Sequence, residues 1–179
     1  MCGIAGYTGS ERALPFLTQG LSKLEYRGYD SAGITLADHD HLLTKKSKGR
    51  LSELEKQFSQ GTFSQTCGIG HTRWATHGIP DNLNAHPHAN ADGTISLVHN
   101  GIIENYLPLK QELEELGYHF QSDTDSEVIV LMVDRYYREG NDLLHALRKT
   151  LKRLKGSYAI CMVSVYEPDT IYAAKKEIP

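Results

Sequence analysis

Hydrophobic residues recur at intervals of three and four in several segments, which is the spacing of an amphipathic helix. Leu14, Leu17, Leu21 and Leu24 predict a first helix, capped by Ser10 or beginning near Leu14 itself. Further helices are predicted over 51–58, between a capping Asn105 and a terminating Gly117, over 128–136 and over 143–154.

Short apolar segments between these helices predict strands. They cover 32–37 and 42–46 as a hairpin, 66–71, 94–99, and 157–166 with 170–174 as a closing hairpin. Strands and helices come in blocks and do not strictly alternate, which favours an α+β fold with antiparallel sheet. The segment 73–92 has no regular pattern, and a loop of that length in a compact domain is typically either functional or disordered. The shape-specific residues at 72–78 favour a functional loop.

Composition narrows the function classes. The chain has 179 residues, a net charge of −3 and 40% hydrophobic residues, enough for a core. No basic surface indicates a nucleic-acid partner, and the short cluster Lys45, Lys46, Lys48, Arg50 is interpreted as a solvated strand and turn. No apolar run is long enough to span a membrane, and no secretory signal is present. Three scattered cysteines favour a reducing cytoplasm over a disulfide framework.

The second residue, Cys2, is the strongest candidate for chemistry. Removal of Met1 would place a thiol and a free α-amine on one residue. Their ordinary pKa values are about 8.5 and about 7.7–8.0, so Cys2 would carry both a nucleophile and a base. The alternative is a small apolar side chain that fills space in a buried N-terminal strand.

A thiolate that attacks a carbonyl also needs oxyanion donors and groups that hold the substrate. Asn100 and Gly101, placed after a predicted strand, offer a side-chain and a backbone N–H, although an Asn-Gly turn is the simpler interpretation. Arg73 suits a carboxylate and Asp125 an ammonium group, the two charges of an α-amino acid. Asp125 could equally be a helix-terminal acid, and Trp74 either a cover for substrate or a loop anchor.

Neither a metal nor a cofactor is expected. Nine histidines are present, but His86-Pro87-His88 does not match a usual zinc spacing and no Cys-x-x-Cys occurs. Cys67 and Cys161 lie in predicted strands and are interpreted as inert core residues.

Five segments, taken in order, resemble one family: Cys2-Gly3-Ile4 and the segments 24–33, 71–78, 84–88 and 99–105. Together they are similar to the class II, or N-terminal nucleophile, glutamine amidotransferases. The strings Glu-Tyr-Arg-Gly-Tyr-Asp-Ser-Ala-Gly and His-Thr-Arg-Trp-Ala-Thr-His-Gly favour the sugar-amidating branch. The resemblance covers nearly the whole chain, so residues 1–179 are expected to form one glutaminase domain.

The resemblance implies a four-layer αββα N-terminal nucleophile hydrolase fold with two stacked antiparallel sheets. It implies that Cys2 attacks the side-chain amide of L-glutamine, that its amine is the base, and that the oxyanion is held by Asn100 and Gly101. Arg73 would bind the carboxylate of glutamine and Asp125 its ammonium. The remaining implied substrate-site residues are Trp74, Thr76 and His77 on a covering loop, with Arg27 and His86 nearby.

Enzymes of this branch continue into two sugar-isomerase domains, and none of their sequence is present here. The expectation is therefore an isolated glutaminase domain, a monomer or weak dimer that makes ammonia without using it. Two alternatives stay open. One is a module that binds glutamine without turnover, and the other is the glutaminase half of another amidotransferase.

Overall fold

Two four-stranded antiparallel sheets lie face to face, with helices on their outer sides. The structure is a computed structural model that describes residues 2–74 and 81–177. The strands are β1 (Gly3–Thr8), β2 (Ser31–Ala37), β3 (Leu42–Lys48), β4 (Cys67–Arg73), β5 (His88–Ala89), β6 (Ile95–Ile103), β7 (Gly156–Ser164) and β8 (Tyr172–Lys176). The helices are α1 (Ala13–Leu24), α2 (Leu51–Gln57), α3 (Tyr106–Glu115), α4 (Glu127–Arg138) and α5 (Leu143–Arg153), and Glu25–Arg27 forms a 3₁₀ turn.

The strand order is β1-β4-β2-β3 in the first sheet and β5-β6-β7-β8 in the second. Helices α1 and α2 pack on the first sheet, and α3, α4 and α5 belong to the apolar cluster on the second. A third cluster lies between the sheets and is formed by Ala37, Cys67, Ile69, Val98 and Val163. The predicted αββα arrangement is therefore confirmed. Central strands are covered on both faces, which explains why β2 is buried along its whole length.

Strand register places the chain's beginning against the end of β4. Strand β1 pairs with β4 so that Gly3 lies opposite Thr72, which brings Cys2 to the level of Arg73 and Trp74. A buried hydroxyl pair, Thr35 Oγ1 and Ser96 Oγ at 2.9 Å, joins the two sheets across their interface. The sheets therefore hold β1, β4 and β6 close together.

The structure corrects several local predictions. Strand β6 extends through Ile103, so Asn100 and Gly101 lie within a strand and do not follow one, because β7 pairs with β6 along its full length. Helix α1 begins at Ala13, which agrees with the predicted start near Leu14, and Arg12 rather than Ser10 stands at its N-cap. Asn105 stands at the N-cap of α3 without a side-chain cap bond, since its amide bonds the backbone of Arg153 and Lys155 instead.

Two further corrections concern the irregular segment and the basic cluster. The described part of 73–92 includes the short strand β5, which pairs with β6. Lys46 is half-buried and its Nζ donates to the Ala85 carbonyl at 2.7 Å, whereas Lys48 and Arg50 are exposed as predicted. Burial lowers the pKa of Lys46 to about 8.

Candidate active site

The Cys2 thiol lies half-buried beside the backbone of Trp74. The Trp74 N–H donates to Sγ at 3.2 Å, and Sγ lies 3.5 Å from the Trp74 carbonyl oxygen. Burial raises the pKa of the Cys2 thiol, and the Trp74 N–H opposes that shift in part. The thiol is therefore protonated at neutral pH, and a reaction at sulfur requires a base.

Asn100 reaches from the second sheet to the same residue. Its Nδ2 donates to the Cys2 carbonyl oxygen at 2.9 Å, and its Oδ1 lies 2.7 Å from His71 Nε2. An amide nitrogen carries two hydrogens, so one N–H hydrogen remains after the bond to Cys2. The structure thus brings together two predicted catalytic residues that are 98 positions apart in the chain.

Gly101 follows Asn100, and the backbone conformation at position 101 requires a glycine. Its φ is +128°, and a Cβ added there would lie 2.0 Å from the Ser157 carbonyl oxygen on β7. Only a residue without a side chain allows β6 and β7 to approach this closely. The position of the neighbouring Asn100 therefore depends on glycine at 101.

Arg73 and Trp74 stand at the end of β4, next to Cys2. Arg73 is 4% exposed and pairs in register with Ser31 on β2. The Trp74 side chain is 50% exposed and meets the Tyr29 ring edge-on at 5.6 Å between centroids. The end of β4 thus supplies a buried cation, Arg73, and an exposed indole, Trp74, beside the Cys2 thiol.

Asp125 is buried just before α4 and faces β6. It is 3% exposed, and its Oδ2 accepts a hydrogen bond from the Ile103 N–H at 2.7 Å. Ile103 is two residues beyond Gly101 on the same strand. The carboxylate is therefore held beside the Asn100–Gly101 segment and does not act as the N-cap of α4, a position taken by Ser126.

Among the described residues, four buried histidines lie on or next to β4, β5 and β6. His71 faces the space between the sheets, whereas His99 Nδ1 lies 2.8 Å from Ser126 Oγ in the segment before α4. Sequence reasoning assigned a place in the site only to His86. His86 stacks on His71 at 4.2 Å, meets His88 edge-on at 4.5 Å, and its Nδ1 accepts from the His99 N–H at 3.3 Å. Burial lowers the pKa of His71 to about 3 and that of His99 to about 4, and it lowers the pKa of His86 and His88 as well. These imidazoles are neutral at physiological pH.

The alternation of side chains along β4 is the sequence feature that bears on His71, and it becomes informative once the packing of Ile69 is known. Residues two apart on a strand face the same side, and Ile69 belongs to the cluster between the sheets. His71 therefore had to point between the sheets as well. Its partner on β6 was not visible in the sequence, because it depends on how the sheets stack.

A cavity of about 470 Å³ opens beside Cys2. It is lined by Cys2, Asn100, Arg27 and Cys161, together with residues of β1, β7 and β8. Among the residues that the structure describes, neither Arg73 nor Asp125 lines it. Cys161 is half-buried at this cavity, whereas Cys67 lies in the core as predicted.

Arg27 lies in the 3₁₀ turn, and its Nε donates to the Tyr26 hydroxyl at 3.0 Å. Thr76 and His77, predicted to cover the substrate, lie outside the described residues. In residues 2–74 and 81–177, no group of three or more His, Cys, Asp or Glu side chains is arranged so that it could hold a metal ion. The helices in those ranges are all too short or too polar to cross a membrane.

Comparisons with known proteins identify the family to which the chain belongs. The model of the glutamine amidotransferase domain family matches residues 71–178. The glutamine–fructose-6-phosphate aminotransferase (isomerizing) of Clostridium acetobutylicum is 53% identical over the whole chain, and that of Aquifex aeolicus is 49% identical. The chain spans 29% and 30% of the length of these two relatives.

Solved structures show the same fold. A glutamine phosphoribosylpyrophosphate amidotransferase from B. subtilis, in complex with ADP and GMP, is 32% identical with a TM-score of 0.78, covering 92% of this chain and 35% of that one. A class-II glutamine aminotransferase domain protein from Silicibacter pomeroyi shares the fold at 16% identity and a TM-score of 0.64, covering 99% of this chain and 79% of that one. The family match extends over more than half of the chain and includes the end of β4, all of β6 and the Asp125 segment. The chain belongs to the glutamine amidotransferase domain family.

Proposed function

We propose that residues 1–179 form a glutaminase domain that hydrolyses L-glutamine to L-glutamate and ammonia through a thioester on Cys2. The observation that carries this proposal is the meeting of the Cys2 thiol, the Trp74 N–H and the Asn100 amide at one point between β1, β4 and β6. A nucleophile with an adjacent side-chain donor is the arrangement that acyl transfer requires.

The first half of the reaction forms the thioester. After removal of Met1, the α-amine of Cys2 accepts the thiol proton, which is needed because burial raises the thiol pKa. The sulfur then bonds to the side-chain amide carbon of glutamine, and the carbonyl oxygen becomes an oxyanion. Asn100 Nδ2 and the Gly101 N–H donate to this oxyanion.

The second half releases both products. The tetrahedral species collapses, the carbon–nitrogen bond breaks, and the proton held by the amine passes to the nitrogen that leaves as ammonia. Water, deprotonated by the same amine, then attacks the thioester and a second oxyanion forms at the same donors. Its collapse breaks the carbon–sulfur bond, the amine passes the proton that it took from water to the departing sulfur, and glutamate is released with the thiol restored.

Two charged residues are assigned to the ends of the substrate. Arg73 binds the α-carboxylate, for which a guanidinium offers two parallel N–H donors. Asp125 binds the α-ammonium, and its bond from the Ile103 N–H keeps the carboxylate in place. Trp74, Thr76 and His77 cover the substrate, and Arg27 and His86 support the site.

In the longer protein the ammonia would aminate fructose 6-phosphate, giving glucosamine 6-phosphate. This assignment rests on the relatives, whose name specifies glutamine and fructose 6-phosphate, and on the sugar-type strings at 25–33 and 71–78. The acceptor reaction belongs to sugar-isomerase domains outside these 179 residues. A free thiol nucleophile fits a reducing cytoplasm, and we expect the 179 residues alone to be a monomer or weak dimer.

The test is ammonia release from glutamine by wild-type protein, C2A and C161A, with the intact mass reporting whether Met1 is removed. C161A is the matched control, because Cys161 lines the same cavity but has no assigned role. We expect C2A to abolish turnover and C161A to retain it within about threefold.

Each other outcome has a defined meaning. Turnover that survives in C2A, or in protein that retains Met1, would refute the thioester mechanism. Calorimetric binding of glutamine by protein with a free Cys2 that releases no ammonia would refute hydrolysis and favour a module that only binds glutamine.

A further inference from the structure

We propose that His71 is a positioning residue that fixes the orientation of the Asn100 amide, so that its nitrogen and not its oxygen faces Cys2 and the oxyanion. This inference rests on the proposed function, because it names what holds the oxyanion donor in place. Nothing in the family match or in the names of the relatives assigns a role to His71.

The hydrogen-bond partners of His71 determine where its proton lies. Nε2 is 3.2 Å from the His99 carbonyl oxygen and 2.7 Å from the Asn100 side chain. A backbone carbonyl can only accept a hydrogen bond, so Nε2 carries the hydrogen. The Asn100 atom that faces Nε2 must then also be an acceptor, which is Oδ1.

The other end of the Asn100 amide gives the same orientation independently. Its second terminal atom lies 2.9 Å from the Cys2 carbonyl oxygen, which again can only accept. That atom is therefore the nitrogen. The oxygen and nitrogen of an Asn amide are otherwise hard to distinguish, and here two partners at opposite ends agree.

A flipped amide would be harmful in this site. It would place Oδ1 against the Cys2 carbonyl and direct a lone pair at the developing oxyanion, so a donor would be replaced by a repulsive acceptor. A donor facing Oδ1 prevents this flip, because the flip would also point the amide hydrogens at His71 Nε2–H. The buried imidazole thus acts on the oxyanion through Asn100 without contacting the substrate.

The surroundings keep His71 in this state. It is fully buried in the middle of β4, stacked on His86, and its Nδ1 has no hydrogen-bond partner among the described residues. A bare Nδ1 agrees with a neutral ring that has its single hydrogen on Nε2. The low pKa caused by burial keeps the ring in that form over the working range.

The first test is a double-mutant cycle on glutamine hydrolysis with H71M, N100A and the double variant. H71M removes the donor and puts an apolar side chain of similar size in its place. We expect kcat to fall roughly 10- to 100-fold and KM to stay within about threefold, because the loss is confined to the transition state. In the N100A background, H71M should cost no more than about threefold further, because its effect passes through Asn100.

Two more variants separate positioning from packing. H71Q restores a side-chain N–H donor and should recover activity to within about tenfold of wild type. H88M is the matched control, since His88 is an equally buried imidazole that lies 3.1 Å from Thr124 Oγ1 and does not bond Asn100. H88M should keep kcat within about threefold whatever it does to stability.

The outcomes distinguish this inference from the proposed function. Wild-type protein with a free Cys2 that releases no ammonia would refute the proposed function. Active wild-type protein with H71M equal to wild type, or with an undiminished effect of H71M in N100A, would refute only the role of His71. Alkylation of Cys2 by iodoacetamide, which needs no oxyanion donor, should proceed in H71M as in wild type.

A spectroscopic test uses the wild-type protein alone, so it holds even where H71M does not fold. The ¹⁵N resonances of the His71 ring should report the neutral Nε2–H form from about pH 5 to 8. The Nδ1–H form or an imidazolium in that range would overturn the proposal.

Discussion

Mild acid should destabilise this protein strongly, because His71 and His99 are buried in their neutral forms. Their pKa values in the folded state are about 3 and about 4, compared with about 6.5 in an unfolded chain. The unfolded chain therefore binds more protons than the folded one as the pH falls below about 6.5. Above about pH 6.5 the rings are neutral in both states and cost no stability. As the pH falls from the unfolded-state pKa towards the folded-state pKa of each ring, the free energy of unfolding decreases.

The magnitude follows from the linkage relation. Between pH 7 and pH 5, an imidazole that stays neutral when folded and titrates at about 6.5 when unfolded lowers the free energy of unfolding by about 2 kcal/mol. The two histidines together account for about 4 kcal/mol, and His86 and His88 act in the same direction. Since a typical domain has only about 5–15 kcal/mol in total, this loss is a large fraction of the stability.

The assay is urea unfolding at pH 7, 6 and 5 under reducing conditions, with the slope of the transition checked for constancy. H99Q should reduce the pH dependence by about 2 kcal/mol over this range. H39Q is the control, because His39 is exposed in the β2–β3 turn, and it should leave the dependence unchanged. A wild-type change below about 1 kcal/mol between pH 7 and 5 would refute the neutral buried histidines.

Two further predictions concern packing and substrate binding. G33A should lower the free energy of unfolding, measured with urea, by about 3 kcal/mol, because its Cβ would lie 2.0 Å from the His86 carbonyl oxygen. The control is G93A, at φ +66° with no atom within 4 Å of the added Cβ, and it should lower the free energy of unfolding by about 1 kcal/mol. Equal losses would contradict the close approach at Gly33. D125N replaces a buried carboxylate with an uncharged amide of the same shape, and it should lower kcat/KM for glutamine about 100-fold, mainly through KM. The control D123N, at an exposed position, should keep kcat/KM within about twofold. A KM for D125N equal to that of wild type would show that the carboxylate does not bind the ammonium.

The sequence predicted the elements well where the physical signal was local. Apolar spacing placed α1, α4 and α5, and turn residues placed the β2–β3 and β7–β8 hairpins within a few residues. The end of β6 was misplaced because Asn100 and Gly101 suggest a turn locally, whereas pairing with β7 keeps them in a strand. Tertiary pairing outweighed local preference there, as it commonly does for strands.

The site residues also divide into those that local sequence features identified and those whose contacts depend on the tertiary structure. The sequence identified Cys2, Asn100, Gly101, Arg73 and Asp125 as candidates from the chemistry of their side chains and from an ordered resemblance to one family. The helix cap expected for Asn105 failed because its amide found backbone partners near Arg153, far away along the chain. Such partners are set by the folded geometry and leave no mark within a short window.

The sequence by itself determined the fold class and the family and made Cys2 the candidate nucleophile, because ordered motifs, side-chain chemistry and short-range periodicity are properties of the chain alone. Only the tertiary structure decided that Asn100 contacts Cys2, that Asp125 is held by the Ile103 N–H, and that His71 contacts the Asn100 side chain. These contacts cross between two sheets or between a strand and a distant segment. Their distances depend on how segments 22 to 98 residues apart stack and pair, a relation that apolar spacing along one chain does not encode.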